Sequence, residues 1–402
     1  MTSEDLRRAG YKPNNGLRDQ RTALEWIVRY IAGFGGNPDK ITVMGESAGA
    51  ISASSLLCSE RPMAKRLILL SGSPMLRRPS PMSVAEATYQ KILMSLGIQA
   101  TTVEGRIDAL LQCPADDILS KLDPSLELAP VVDGEIFPGT PTFDIIQRKE
   151  NSDTYPMPGR QWCSGLVIGH CGLDCIKASI FGFIIQHLKP GIGHTFEKSV
   201  RSSLKKHPGS ADALLDGYGI SGADVSDDDA FLAILRFAND ICFHAPTRAM
   251  ACGFPGDVFL YAFHEPNPWD GPFRGHATHV LDVAFLFQNF NDILDQSQKN
   301  IAKAFAKDVI AFSNGLPPYK AIAEDNGGLR VYSHGRFIYI PSTGIYETKG
   351  DLIFQLGNQF GLDIFLSAWE SFLRVCCLNN EAYPVEARGK NLWDADHRKF
   401  TT

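Results

Sequence analysis

One short run of residues has the composition of a turn that presents a nucleophile. The run consists of Gly45, Glu46, Ser47, Ala48 and Gly49. An apolar stretch at 41–45 leads into it, and a helix-compatible stretch follows it. A serine at such a strand–turn–helix junction stands clear of the sheet, and the helix start directs its N–H groups at the same point. We therefore predict that Ser47 is a nucleophile.

A serine nucleophile needs a base, and that base needs an orienting acid. With this kind of turn, the acid and then the histidine come later in the chain, each on a loop after a further strand. Asp174 follows the apolar stretch 165–169. Three histidines follow the stretch at 258–263, namely His264, His276 and His279. The order of serine, acid and histidine that accompanies this kind of turn is therefore present.

The elements that must position these side chains alternate between strands and helices. Continuous apolar stretches predict buried parallel strands at 41–45, 66–72, 165–169 and 258–263. An apolar stripe of Leu24, Ile27, Val28 and Ile31 predicts a helix before the first strand. Ser83 and Glu86 predict a capping box for a helix that ends at Gly97, and a last helix is predicted near 298–314. This alternation indicates an α/β layer fold.

Each chemical assignment has a structural alternative. Ser47 could cap a helix, Asp174 could be a surface carboxylate, and His276 or His264 could replace His279 as the base. The spacing of His276, His279 and Asp282 also permits a metal site, although no further ligands surround it in the sequence. Glu46 is interpreted as a buried structural partner beside the turn. The glycines of 33–36 precede a strand instead of following one, which excludes a dinucleotide loop.

Composition limits the partners. The 402 residues carry a net charge of −6, so nucleic acid and anionic membranes have no electrostatic support as partners. No apolar stretch approaches the length of a membrane span. The polar start has no signal-peptide core, which predicts a cytoplasmic location for the chain as written, or secretion if an N-terminal segment is missing. The nine cysteines are too sparse for a disulfide scaffold and are interpreted as mostly buried and reduced.

Several longer patterns resemble one family. They are N-x-G-L-x-D-Q-x-x-A-L-x-W at 14–26, F-G-G-N-P at 34–38, G-E-S-A-G-A at 45–50, P-V-V-D-G at 130–134, G-x-x-x-x-D at 169–174 and H-x-x-D-x-x-F-x-F at 279–287. Together they resemble the type-B carboxylesterases, the family of cholinesterases and some fungal lipases. The resemblance covers nearly the whole chain and is densest in residues 1–50.

The resemblance implies a fold and a set of roles. The fold would be a single α/β-hydrolase domain over 1–402, with a mostly parallel sheet flanked by helices and without the N-terminal strands. Helical excursions at about 74–163 and 176–256 would either cover the active site or serve as packing. Ser47 would be the nucleophile, His279 the base, Asp174 the acid where the family usually has glutamate, and Ala48 an oxyanion donor. No metal or organic cofactor is implied.

One part of the machinery has no counterpart in the sequence. The second oxyanion donor in this fold comes from a glycine-rich loop upstream of the nucleophile. The resemblance implies that this loop should precede Met1, and its loss would leave the strand of Ser47 as an exposed edge. The expected function is hydrolysis of small carboxylic esters through an acyl-enzyme. The alternative is a catalytically impaired or inactive esterase-like fragment or binding protein.

Overall fold

A computed structural model describes residues 2–122, 126, 128–175, 190–220, 222, 225–271, 273–325, 327–341 and 351–378. Its centre is a six-stranded sheet with the strands in sequence order. The strands are β1 Thr42–Glu46, β2 Arg66–Leu70, β3 Gly165–Cys171, β4 Asp257–Phe263, β5 Gly328–Ser333 and β6 Arg336–Pro341. The first five are parallel, and β6 pairs antiparallel with β5. The four strands predicted from apolar stretches are confirmed, and β5 and β6 are additional.

Fifteen α-helices are described around this sheet. They are α1 Glu4–Arg8, α2 Asn15–Tyr30, α3 Ala48–Ser55, α4 Met82–Ser95, α5 Val103–Gln112, α6 Ala115–Lys121, α7 Phe143–Ile146, α8 Ile192–Ser203, α9 Ser210–Tyr218, α10 Asp227–Asn239, α11 Ala245–Gly253, α12 Leu281–Phe287, α13 Gln296–Ser313, α14 Leu352–Phe360 and α15 Leu362–Leu378. A π-helical turn, Asp240–His244, joins α10 to α11. The helix predicted near 298–314 is therefore α13. It is not the last helix, because α14 and α15 follow it.

The sheet separates two apolar layers because alternate strand residues face opposite sides. Leu67 and Leu69 of β2 belong to a large cluster with α3 and the helices α8 to α11, α14 and α15. Ile68 and Leu70 face the opposite layer, which α12 and α13 cover. Burial of both faces explains why the central strands are continuously apolar. The predicted layer architecture is confirmed.

Two local predictions differ from the structure. The N-cap of helix α4 is Pro81, two residues before the predicted cap Ser83, and no side chain caps the helix. Glu86 instead accepts a hydrogen bond from the N–H of Glu4, a contact 82 residues distant in sequence. The apolar stripe of α2 forms the predicted helix, but none of its residues is fully buried and Val28 is exposed. The first difference arises because Glu86 takes part in a contact that is distant in sequence.

The strand that carries the nucleophile lies at one edge of the sheet. None of the five residues of β1 is fully buried, and Met44 is 39% exposed. The predicted exposed edge is therefore found among the described residues. The first part of the predicted excursion 176–256, residues 176–189, lies outside the described residues, as do residues 379–402 of the predicted domain. Cys163, Cys171, Cys175 and Cys242 are buried free thiols, as predicted.

Candidate active site

Ser47 occupies a strained turn between β1 and α3. Its backbone has φ 53° and ψ −118°, which a residue with a side chain rarely adopts and which is typical of functional sites. Its N–H donates to the carbonyl of Leu70 at 2.9 Å, which ties the turn to β2. Its side chain makes no helix-cap hydrogen bond. Ser47 therefore occupies the N-cap position of α3, but its hydroxyl does not cap the helix and is free to serve another role.

The two glycines of the turn have different roles. A Cβ atom added to Gly45 would lie 2.1 Å from the carbonyl oxygen of Gly49, so only glycine permits this close approach. A Cβ atom added to Gly49 would meet nothing within 4 Å. The sharp turn therefore needs a missing side chain at Gly45, while the unusual backbone torsion falls on Ser47 itself.

His279 joins Ser47 to Asp174. Its Nε2 atom lies 2.9 Å from Ser47 Oγ, and its Nδ1 atom lies 2.8 Å from Asp174 Oδ1. These three side chains come from positions separated by 105 residues or more. The structure therefore brings together the serine, the acid and one of the three histidines that the sequence offered. This arrangement can move a proton from the serine to an imidazole whose other nitrogen is held by a carboxylate.

Asp174 is fully buried, so its alternative interpretation as a surface carboxylate is wrong. Its Oδ2 atom accepts a hydrogen bond from the N–H of Cys171 at 2.9 Å. Its own N–H donates to the side-chain oxygen of Asn239 at 2.7 Å. Asn239 is 65 positions from Asp174 in the chain, so this contact has no local signal in the sequence.

The loops that carry the acid and the histidine are joined directly. The N–H of Leu173 donates to the carbonyl of Ala277 at 2.8 Å, and Leu173 forms an isolated parallel bridge with Thr278. The residue before Leu173 is also tied to the end of β4, since the N–H of Gly172 donates to the carbonyl of Phe263 at 2.9 Å. Asp174 and His279 are therefore held next to each other by main-chain contacts.

Burial and charge act in opposite directions on this pair. Burial disfavours the charged imidazolium of His279, but the hydrogen bond to Asp174 and the negative charges of Asp174 and Glu46 outweigh it and raise its pKa. Burial raises the pKa of Asp174, and the hydrogen bond with His279 offsets part of that rise. An imidazole with a raised pKa is a stronger base for the serine proton.

Two further carboxyl groups face the histidine. Glu46 Oε1 lies 3.2 Å from His279 Nε2, and burial raises the pKa of Glu46 to about 7. Asp282 is fully buried, accepts a hydrogen bond from the Tyr261 hydroxyl at 2.7 Å, and has a pKa raised by burial to about 6. Glu46 is thus a partly buried neighbour of the base, with a side chain 23% exposed, and not only a structural residue of the turn.

The alternative residues lie elsewhere or have other partners. His276 is exposed, and the ring of His264 lies 6.4 Å from that of His170, measured between centroids. Across the part of the chain that the structure describes, no group of three or more histidine, cysteine, aspartate or glutamate side chains is arranged to hold a metal ion. Both ring nitrogens of His279 have hydrogen-bond partners in Asp174 and Ser47.

Ala48 is the first residue of α3. The N–H groups in the first turn of a helix have no partner within the helix and carry its positive dipole end. Such a group beside Ser47 can bind the oxyanion that forms when a hydroxyl attacks a carbonyl.

None of the described helices combines the length and apolarity needed to cross a lipid bilayer.

Comparison with known proteins identifies the family. The model of the Carboxylesterase family matches residues 6–315. Pyrethroid hydrolase Ces2a of Mus musculus is 26% identical over 340 residues, 79% of this chain and 58% of that protein. Carboxylesterase 1C of Rattus norvegicus is 33% identical over 346 residues, 78% of this chain and 59% of that protein.

A solved structure of a PNB esterase shares the fold. It has a TM-score of 0.63 and 21% identity, and the match covers 86% of this chain and 70% of that chain. The chain spans 58% and 59% of the two curated relatives, so it matches only part of their length. The family match covers most of the chain and includes the three side chains of the site. The chain belongs to the carboxylesterase family.

Proposed function

We propose that the chain hydrolyses small carboxylic esters through an acyl-enzyme formed on Ser47. The observation that carries this proposal is the continuous set of contacts from Asp174 through His279 to Ser47. The family membership supports ester hydrolysis as the reaction class. The substrate follows only as a class, because the acyl and alcohol groups are not identified by these contacts.

The proposed reaction has two halves. Ser47 Oγ attacks the ester carbonyl while His279 Nε2 accepts its proton, and the N–H of Ala48 binds the oxyanion. His279 then donates the proton to the leaving alcohol, which leaves an acyl-Ser47 ester. In the second half His279 accepts a proton from water, the resulting hydroxide attacks the acyl group, and Ser47 regains its proton. Asp174 holds the imidazole in the required tautomer throughout.

A fluorophosphonate probe tests the proposal on the full chain. Labelling of the wild type, with no labelling of Ser47→Ala, is the expected result, because only an activated serine reacts rapidly with this probe. A panel of p-nitrophenyl esters with increasing acyl length then measures turnover. Equal labelling of the wild type and the Ser47→Ala variant would contradict the proposed nucleophile.

A second candidate is an esterase-like protein with impaired turnover. It is favoured by the edge position of β1 and by the absence from the sequence of a His-Gly-Gly-Gly-like element. Loss of one oxyanion donor lowers the rate by roughly 10²–10³-fold. This candidate predicts that labelling at Ser47 and ester turnover are both slowed by roughly 10²–10³-fold, whereas the first candidate predicts both rapid labelling and rapid turnover.

A further inference from the structure

The aspartate of the site has a short reach. The sequence resemblance gives a glutamate at this position in the family, and the side chain of Asp174 is one methylene shorter. Both of its carboxylate oxygens are already in use, one with His279 Nδ1 and the other with the N–H of Cys171. Because a short side chain has little freedom to compensate, the position of the Asp174 backbone decides whether the carboxylate reaches the imidazole.

The hydrogen bond made by the N–H of Asp174 itself goes to the side chain of Asn239. Asn239 Oδ1 accepts the N–H of Asp174 at 2.7 Å, and the side chain of Asn239 is buried, with 5% exposure. Asparagine is not favoured inside a helix, since its side chain competes for backbone hydrogen bonds. Asn239 nevertheless ends α10 and precedes the π-helical turn Asp240–His244. Turns of this kind are often found at functional sites.

The same turn also contacts the base. The ring of Phe243 packs edge-on against the imidazole of His279, with the centroids 5.5 Å apart and the planes at 64°. The charged groups that face His279 are Asp174 from the loop after β3, Glu46 from the end of β1 and Asp282 from α12. The segment from Asn239 to Phe243 therefore touches both the acid and the base, and its own carboxyl group, Asp240, accepts a hydrogen bond from the Tyr218 hydroxyl at 2.7 Å.

We propose that Asn239 is a positioning residue for the triad, whose amide oxygen holds the Asp174 backbone where the short carboxylate can reach His279. The inference rests on the proposed function for its consequence in catalysis. Without the oxygen of Asn239, the N–H of Asp174 would be buried and unpaired, and the loop would move to find another partner. A shift of about 1 Å in catalytic geometry lowers a rate by roughly 10²-fold.

The test compares two substitutions of similar size in the full chain. Asn239→Leu removes the acceptor, and Asn239→Asp keeps an acceptor oxygen but adds a negative charge. The readouts are the pKa of the His279 imidazole, by NMR with labelled histidine and a His279→Gln variant for assignment, and the rate of fluorophosphonate labelling per folded molecule. Asn239→Ser, whose hydroxyl is too short to reach Asp174, replaces Asn239→Leu if the latter does not fold.

The two substitutions should move the pKa of His279 in opposite directions. Asn239→Leu should lower it by about one unit and slow labelling about 10–100-fold, because Asp174 no longer supports the imidazolium. Asn239→Asp should raise the pKa and keep labelling within about tenfold of the wild type. An unchanged His279 pKa in a folded variant without the acceptor would overturn the inference.

Asn14 supplies a matched control. Its side chain also bonds a distant backbone, with both the N–H and the carbonyl of Val131 at 2.9 Å, but it lies outside the site. Asn14→Leu should destabilise the fold at least as much, because Asn14 also has φ 58°, yet leave the His279 pKa unchanged. A wild type that is not labelled would contradict the proposed function, while the NMR titration would still decide the role of Asn239.

Discussion

Glu46 Oε1 lies 3.2 Å from His279 Nε2, the same ring nitrogen that Ser47 Oγ approaches to 2.9 Å. The base therefore has a carboxyl group beside the proton it is proposed to accept, in addition to Asp174 on its other side. Glu46 Oε1 is buried and has no hydrogen-bond partner among the described residues. The charge state of Glu46 consequently acts directly on the basicity of the imidazole.

We predict that Glu46→Gln lowers the pH at which Ser47 becomes reactive. The negative charge of Glu46 raises the pKa of His279, so its removal lowers that pKa. Since the neutral imidazole is the base, the rise in labelling rate with pH should begin at a lower pH in the variant. Labelling measured from pH 5 to 9 checks the shift, and coincident profiles would contradict it.

The same substitution should change how stability depends on pH. Burial raises the pKa of Glu46 from 4.5 to about 7 in the folded state, so the folded state holds this proton more tightly than the unfolded state. The stability that the protonated group contributes is present below pH 4.5 and is lost as pH rises to about 7. Urea unfolding should therefore show that the free energy of unfolding of Glu46→Gln rises relative to that of the wild type as the pH increases from 4.5 to about 7.

We predict that Gly45→Ala abolishes labelling of Ser47, because its Cβ would overlap the Gly49 carbonyl and force the turn open. Gly49→Ala is the matched control. It adds the same methyl group one turn away, inside α3 and with open space around it. The control should keep its labelling rate and gain up to about 1 kcal/mol from the better helix propensity of alanine. Similar losses in the two variants would contradict the steric explanation.

We predict that Asp174→Asn lowers the labelling rate roughly 10⁴-fold, since an amide cannot stabilise the imidazolium and favours the wrong tautomer. Asp282→Asn is the matched control, because Asp282 is an equally buried carboxyl group beside His279 but does not bond Nδ1. The labelling rate of Asp282→Asn should fall by less than about tenfold. A larger loss of labelling rate in Asp282→Asn than in Asp174→Asn would contradict the assignment of Asp174 as the acid of the triad.

We predict that Val280→Gly stabilises the fold. Val280 follows His279 directly and has φ 70°, a conformation that is unfavourable for a β-branched side chain, and it is 45% exposed. Relief of this strain should exceed the entropy cost of glycine and give about 1 kcal/mol in urea unfolding.

The matched control for this prediction is Val283→Gly, the same substitution in the next turn of α12. Val283 packs against the apolar cluster of α12 and α13 and has no positive φ. Val283→Gly should therefore destabilise the fold by about 1 kcal/mol or more, from lost helix propensity and packing. Destabilisation of both variants would show that the backbone of Val280 is not strained.

The sequence predicted the parts of the fold that have a strong local signal. The central strands are apolar on both faces, so β1 to β4 could be predicted from the sequence without knowledge of the tertiary contacts. The strand β6 was not predicted, and with five of its six residues exposed it does not share the two buried faces of the central strands. The capping box at Ser83 and Glu86 was wrong because Glu86 bonds the N–H of Glu4 instead.

For the site, the chain order predicted which residue types meet but not what surrounds them. Ser47, Asp174 and His279 could be selected because each follows a strand that ends at one edge of the sheet. Asn239 and Phe243 come from the junction of two helices. Their contacts depend on a π-helical turn that has no signature in the sequence. Chain order alone left His264, His276 and His279 open; the family resemblance selected His279, and His279 is the histidine that contacts Ser47 and Asp174.

The main-chain bridge between Leu173 and Thr278 joins the loops of the acid and the base but not the turn of the nucleophile. The two parts of the site should therefore differ in their resistance to local unfolding. Asp174 and His279 are joined to each other and to the interior strands β3 and β4. Ser47 follows directly after β1, which is only partly buried and, among the described residues, pairs with β2 alone. Edge elements with few buried contacts open before interior ones. On gentle heating the turn of Ser47 should unfold locally first, while Asp174 and His279 remain hydrogen-bonded to each other without a nucleophile beside them.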